Sequence, residues 1–153
     1  FNNIGCASCH MPTLPLESLM FVEPGPFNTE NSTTLAESEN TFVVNLEDYV
    51  SKLDKDENGN YLIPLWSDLK RHDMGSKLDN ERPLQKGVPT NYWLTKKLWG
   101  FYSEPPFLHH GRANLLNDVI EMHQGDAKIS SDAYFELESN EQEYLIEFLK
   151  SFK

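Results

Sequence analysis

The chain has 153 residues, with 24 Asp or Glu against 13 Lys or Arg and a formal net charge of −11. That length predicts one core and a single domain over residues 1–153. The acid excess argues against nucleic acid or an anionic membrane surface as partner, and favours a basic protein or simple solubility. No apolar run approaches the length of a membrane span.

Both cysteines stand in Cys6-Ala7-Ser8-Cys9-His10. This is the attachment spacing of a c-type haem: each thiol adds to one vinyl group, and the adjacent imidazole sits beneath the iron as proximal ligand. A zinc half-site would need further Cys or His at ligand spacing, and a thioredoxin-like pair a strand-helix context with no obligatory His. A chance match is the remaining alternative. One covalent haem would consume both cysteines, so no disulfide is expected. Attachment of this kind is made outside the cytoplasm in bacteria, which predicts a periplasmic or otherwise extracytoplasmic location. A cytochrome c domain enters its haem motif from an amphipathic helix, and only Phe1 to Gly5 precede Cys6 here. The expectation is the C-terminal part of a larger protein.

After His10, the prolines of Met11-Pro12-Thr13-Leu14-Pro15-Leu16 exclude regular helix and predict an extended run over one haem edge. Residues 17–40 read as a long exposed loop. The β-branched and aromatic runs Thr41–Val44 and Tyr61–Trp66 bracket a polar turn at Asp54–Asn60, suggesting at most a short, irregular hairpin. That turn copies the first half of a calcium-binding EF-hand loop, but position twelve is Leu65 where a bidentate Glu is required, so an Asn-Gly turn is the better reading. Ser67–Gly75 brings His72 and Met74 close together, and Ser76–Pro89 lacks apolar period and reads as loop. Asn91–Leu94 and Leu98–Phe101 are aromatic-rich packing segments. Ala113–His123 has the apolar spacing of a helix with Gly125 placed to end it, putting His123 in its last turn. In the final helix Ser139 and Gln142 suggest a capping box, and Leu145, Phe148, Leu149 and Phe152 fall on one face.

With His10 on one side of the iron, the other side decides function. His or Met there gives an electron carrier, whereas an open position admits peroxide or oxygen. The candidates are His72, Met74, His109, His110, Met122 and His123, with Met11 and Met20 as outsiders. Position favours His123, because cytochrome c folds present their distal residue at the end of the helix before the C-terminal one. Met74 is second.

The segments GCASCHMPTLPL, LWSDLKRHDMG, FLHHGRA with a following helix that ends HQGDA, and FELESNEQEYLIEFLKSF together resemble the C-terminal haem domain of the di-haem oxidoreductases, also called thiol oxidoreductase-like. These are related to the bacterial di-haem cytochrome c peroxidases and to the di-haem enzyme that matures methylamine dehydrogenase. The resemblance implies a mostly α, cytochrome c-like haem domain with long loops and at most a short β-hairpin. It also implies that the place of His123 is the distal ligand position, that His109 lies near the haem edge, and that Arg112 faces a haem propionate. Carbonyls around Glu104 and Pro106 correspond to a calcium site between the two haem domains of the peroxidases. His110 departs from the family's usual Asp, and Lys96-Lys97 from two prolines. There is no second Cys-x-x-Cys-His.

The expected function is single-electron transfer through one covalent haem held by Cys6, Cys9, His10 and His123. The expected partners are the N-terminal haem domain of the parent protein and a redox protein. A haem whose sixth site opens to peroxide is the enzymatic alternative, and a purely structural haem a third.

Overall fold

Prolines at positions 12, 15 and 64 and runs of only three or four β-forming residues keep the early chain extended, and such segments satisfy their backbone groups by pairing at a distance. The structure, a computed structural model, describes residues 1–23, 42–79, 84, 86–103 and 105–152. It comprises two compact units, Leu14–Ile63 and a unit made of Phe1–Thr13 with Pro64–Lys153.

In the Leu14–Ile63 unit, β1 (Leu14–Leu16) pairs antiparallel with β4 (Tyr61–Ile63), Pro15 lying opposite Leu62. Strand β2 (Met20–Glu23) pairs antiparallel with β3 (Phe42–Asn45). A single helical turn, α1 (Glu47–Val50), follows β3, with Asn45 Oδ1 accepting from Glu47 N at 2.9 Å. The two runs expected to form one hairpin therefore pair with other partners. The loop expected over residues 17–40 contains β2, and residues 24–40 of it lie outside the described residues. The half calcium loop closes on itself: Asp56 Oδ1 accepts from the amides of Asn58 and Asn60 at 2.9 and 2.8 Å, and Oδ2 from Asn60 Nδ2 at 3.1 Å. These bonds, led by the Asn60 amide, hold the Asp56 carboxyl below its ordinary range.

In the other unit, β5 (Arg71–Asp73) pairs antiparallel with β6 (Tyr92–Leu94), so His72 lies opposite Trp93. Three helices follow: α2 (Leu116–Glu121), α3 (Lys128–Phe135) and α4 (Ser139–Lys150). Leu98, Leu116, Tyr134, Leu145 and Leu149 form the core between them, and the predicted α4 face packs as its spacing requires. Side chains tie the helices end to end. Ser131 Oγ donates to Ile120 O at 2.7 Å, and Gln142 Nε2 to Tyr134 O and Leu137 O at 3.2 and 3.1 Å.

The expectation of a mostly α fold is overturned. Among the described residues, helix accounts for 33% and strand for 18%, the strands distributed over several small antiparallel sheets. The first predicted helix is also shorter than its apolar period. Phe107 N donates to Ala113 O at 2.7 Å, which holds residue 113 in an extended bridge, and helix begins only at Leu116. The capping box at the final helix sits one residue earlier than predicted, with Glu138 as N-cap and Glu141 Oε2 accepting from Glu138 N at 3.1 Å. Glu141→Ala is accordingly expected to cost about 1 kcal/mol in urea unfolding, and Ser139→Ala a few tenths. Equal effects would count against this placement.

Candidate functional site

The Cys6–Ser8 segment is one turn of 3-10 helix that leaves Cys6, Cys9 and His10 half-buried on one cavity wall. Both cysteines are free thiols, and burial pushes each thiol's pKa up. A carbonyl can only accept, so the 3.0 Å contact between His10 Nδ1 and Trp66 O makes Nδ1 the protonated nitrogen and leaves Nε2 with its lone pair. Burial lowers the His10 pKa most; the Trp66 bond opposes this, and the nearby His123 adds to the lowering. Trp66 is held in place by its surroundings. Its ring packs edge-on against Phe1, Phe148 and Phe152 at centroid distances of 5.7, 5.5 and 4.8 Å. Trp66 and Leu69 both take left-handed φ values of 53° and 56°, and between them the fully buried Ser67 donates to Thr95 O at 2.7 Å.

His123 stands just beyond α2, its amide bonded to Ile120 O at 3.0 Å. Its Nδ1 donates to Val119 O at 2.7 Å, which again leaves Nε2 unprotonated, and burial lowers its pKa. His123 lines the same cavity as His10, together with Met74 and His109. The cavity measures about 330 Å³, and Leu98, Leu116, Tyr134, Leu145 and Leu149 give it an apolar wall. The loop after His123 is pressed onto the end of β5. A Cβ on Gly125 would lie 2.2 Å from Asp73 O, and one on Gly75 would lie 2.7 Å from Gln124 Cβ. Asp73 N also donates to Asp126 Oδ2 at 3.1 Å. This close approach carries both Met74 and His123 to the cavity.

Two thiols at Cys-x-x-Cys spacing and two half-buried imidazoles, each with Nδ1 committed to a main-chain carbonyl, surround an apolar space, and this donor set fits a covalent haem. Residues 32–152 match the family described as di-haem oxidoreductase, putative peroxidase. The chain belongs to the di-haem oxidoreductases. The match includes His72, Met74, His109, Arg112 and His123, and begins beyond the Cys6–His10 motif. No curated protein and no solved structure matches the chain.

The remaining candidates of this di-haem oxidoreductase chain are placed as follows. His72 lines the cavity, but its Nε2 pairs with the buried Asp68 Oδ2 at 2.7 Å and its Nδ1 lies 3.8 Å from Asp126. Burial opposes ionisation of Asp68, yet bonds from Lys70 N and His72 outweigh it and hold the pKa below 3.8. Cys9, Asp68 and His72 bring ligand atoms within 4.8 Å of one another, a set able to hold a cation only while the Cys9 thiol is free. His109 lies parallel to Trp93, with centroids 3.7 Å apart and planes 19° from coplanar. His110 Nδ1 accepts from Arg112 N at 3.2 Å. Arg112 is exposed and lines neither this cavity nor its neighbour, and the half-buried His110 and Met122 line neither of them. Glu104, of the expected calcium site, lies outside the described residues. Sequence reasoning missed the Trp66 carbonyl, Asp68 and Tyr134. A main-chain acceptor has no side-chain signature, whereas the Asp68-His72 spacing was readable as a possible pair.

Proposed function

We propose that this chain is an electron-relay domain of a di-haem, peroxidase-like oxidoreductase, carrying one covalent haem and acting outside the cytoplasm. Cys6 and Cys9 hold the porphyrin, His10 is the proximal ligand and His123 the distal one, with Met74 the alternative. The observation that carries this reading is the symmetry of the two half-buried imidazoles. Each directs Nδ1–H to a backbone carbonyl, which fixes the ring and raises the basicity of the Nε2 that it keeps for iron.

When bound, the haem supplies a one-electron couple. The protein's part is to hold both imidazoles still, so that an electron is exchanged without ligand or proton movement. Phe1, Trp66, Phe148 and Phe152 pack beside His10 and keep water from that side. The acidic surface suits a basic redox partner, and the N-terminal haem domain of the parent protein is the other partner this reading requires. Among the described residues, no helix is long and apolar enough to cross a membrane.

Low-temperature electron paramagnetic resonance of the ferric, haem-loaded chain tests the assignment. The expected wild-type signal is low-spin and bis-histidine, and His123→Ala should abolish it. A low-spin signal that survives with a methionine-to-iron charge-transfer band would move the role to Met74. A high-spin wild type would overturn the relay in favour of a peroxide-reactive haem.

A further inference from the structure

A second cavity, of about 590 Å³, adjoins the first: Trp93, Lys96 and His109 line both. Its chemistry is different. Arg71 and Lys96 bring two cations to it, with Thr90 as a further polar group, and it has no acidic side chain in its lining. Strand pairing puts Arg71 opposite Leu94, and Lys96 follows Leu94 at the two-residue period of an extended chain, so both cations belong to one side of the β5–β6 ribbon. Neither side chain makes an ion pair or hydrogen bond among the described residues, in a chain where acids outnumber Lys and Arg 24 to 13. Two unpaired cations beside an apolar cavity are arranged for an anion whose body lies in that cavity.

We propose that Lys96, at the junction of the two cavities, and Arg71, in the second, form a carboxylate site whose occupant is the propionate edge of the haem. This rests on the haem reading given above. A macrocycle attached at Cys6 and Cys9, between His10 and His123, has its apolar body in the first cavity and must place two carboxylates at an edge where water or cations can meet them. Arg71 offers a planar fork and Lys96 a point charge, both suited to carboxylate oxygens. Arg112, which the family resemblance implied for this role, lines neither cavity. Cations paired with the propionates offset charge that otherwise favours ferric iron, so Arg71 and Lys96 raise the haem potential.

The test uses the haem-loaded chain, with covalent attachment first checked by mass. A wild type without attached haem would overturn the cofactor reading and this site with it. With haem in place, Lys96→Gln and Arg71→Gln are each expected to lower the midpoint potential in a redox titration, and the double variant to lower it further. Lys96→Arg should retain the wild-type value. Lys70→Gln removes a neighbouring charge that lines neither cavity, and it should change the potential less than either. Propionate bending modes in resonance Raman spectra should shift in the same two variants. Unchanged potentials and modes would overturn this site while leaving the haem reading intact. A free carboxylate is the other source of the same chemistry: if benzoate perturbs the wild-type haem spectrum saturably and the double variant does not respond, the cations serve an external ligand and the propionate assignment is overturned.

Discussion

Gly125→Ala is expected to destabilise the chain by about 4 kcal/mol or more, and to disturb the distal side of the proposed haem at the same time. Gly125 has φ +55°, where an L side chain costs roughly 1–2 kcal/mol on its own. The larger cost comes from contact. A Cβ there would lie 2.2 Å from Asp73 O, 2.8 Å from Asp73 C and 2.9 Å from Gly75 N, and all three are backbone atoms of the β5 end, which no rotamer change can withdraw. Either the turn after His123 or the strand end carrying Met74 must move. Destabilisation of this size belongs to the small class of mutations that force backbone strain or overpacking. Gly59→Ala supplies the comparison: its φ of +84° carries a similar local cost, but nothing lies within 4 Å of the added methyl. Urea midpoints of the two variants should therefore differ by several-fold in their shift from wild type. The ferric spectrum of Gly125→Ala should show a high-spin fraction absent from Gly59→Ala. Equal shifts, or an unaltered spin state, would mean that the β5 contact does not position His123.

The coupling of Gly125 to Asp73 illustrates which parts of the molecule could be read in advance. The Cys6–His10 motif was legible because its signature is a spacing along the chain, and the arrival of His123 at the same cavity because a helix end is a local feature that places a side chain. The face of α4 was legible for the same reason, since Leu145, Phe148, Leu149 and Phe152 repeat at helical period. Pairing at long separation left no such mark. Nothing local to Leu14–Leu16 announces Tyr61–Ile63 as its partner, and the runs at Phe42 and Tyr61 looked like one hairpin because sequence proximity was the available guide. The mostly helical expectation failed on these strands, which came from runs too short and too interrupted by proline to show their own period. Within the candidate site, the Trp66 and Val119 carbonyls that orient the two imidazoles are main-chain atoms, available at any residue and specified only by the fold. Nothing local to Arg71 or Lys96 announces that they line one cavity, because β5 and β6 are brought together only by the fold.

Acid should destabilise the folded chain from about pH 6.5 downward, well above the range in which carboxylates titrate. Burial depresses the pKa of both His10 and His123 from the ordinary 6.5, whereas the unfolded chain retains that value. Below pH 6.5 the unfolded state therefore binds more protons than the folded one, and stability rises with pH across the window between the folded and unfolded values. Each histidine kept neutral by folding contributes a slope of up to about 1.4 kcal/mol per pH unit, so the pair gives at most about 2.8. In the proposed haem-bound state, iron at Nε2 would act in the same direction as burial, because it would occupy the site the proton takes. The carboxylate contribution is separable: Asp68, held below 3.8 by its bonds from Lys70 N and His72, loses its stabilising effect only as pH falls below that value. Urea midpoints measured from pH 7.5 to 5 should decline progressively, and His123→Gln, which removes one of the two titrating groups, should reduce the slope by up to half. His110 is displaced in the same direction by burial and the Arg112 charge, and it remains in both proteins as a common background. A midpoint that stays constant to pH 5 would mean that neither imidazole is protected from protonation by the fold, and the two-sided burial that supports a haem between them would lose its energetic basis.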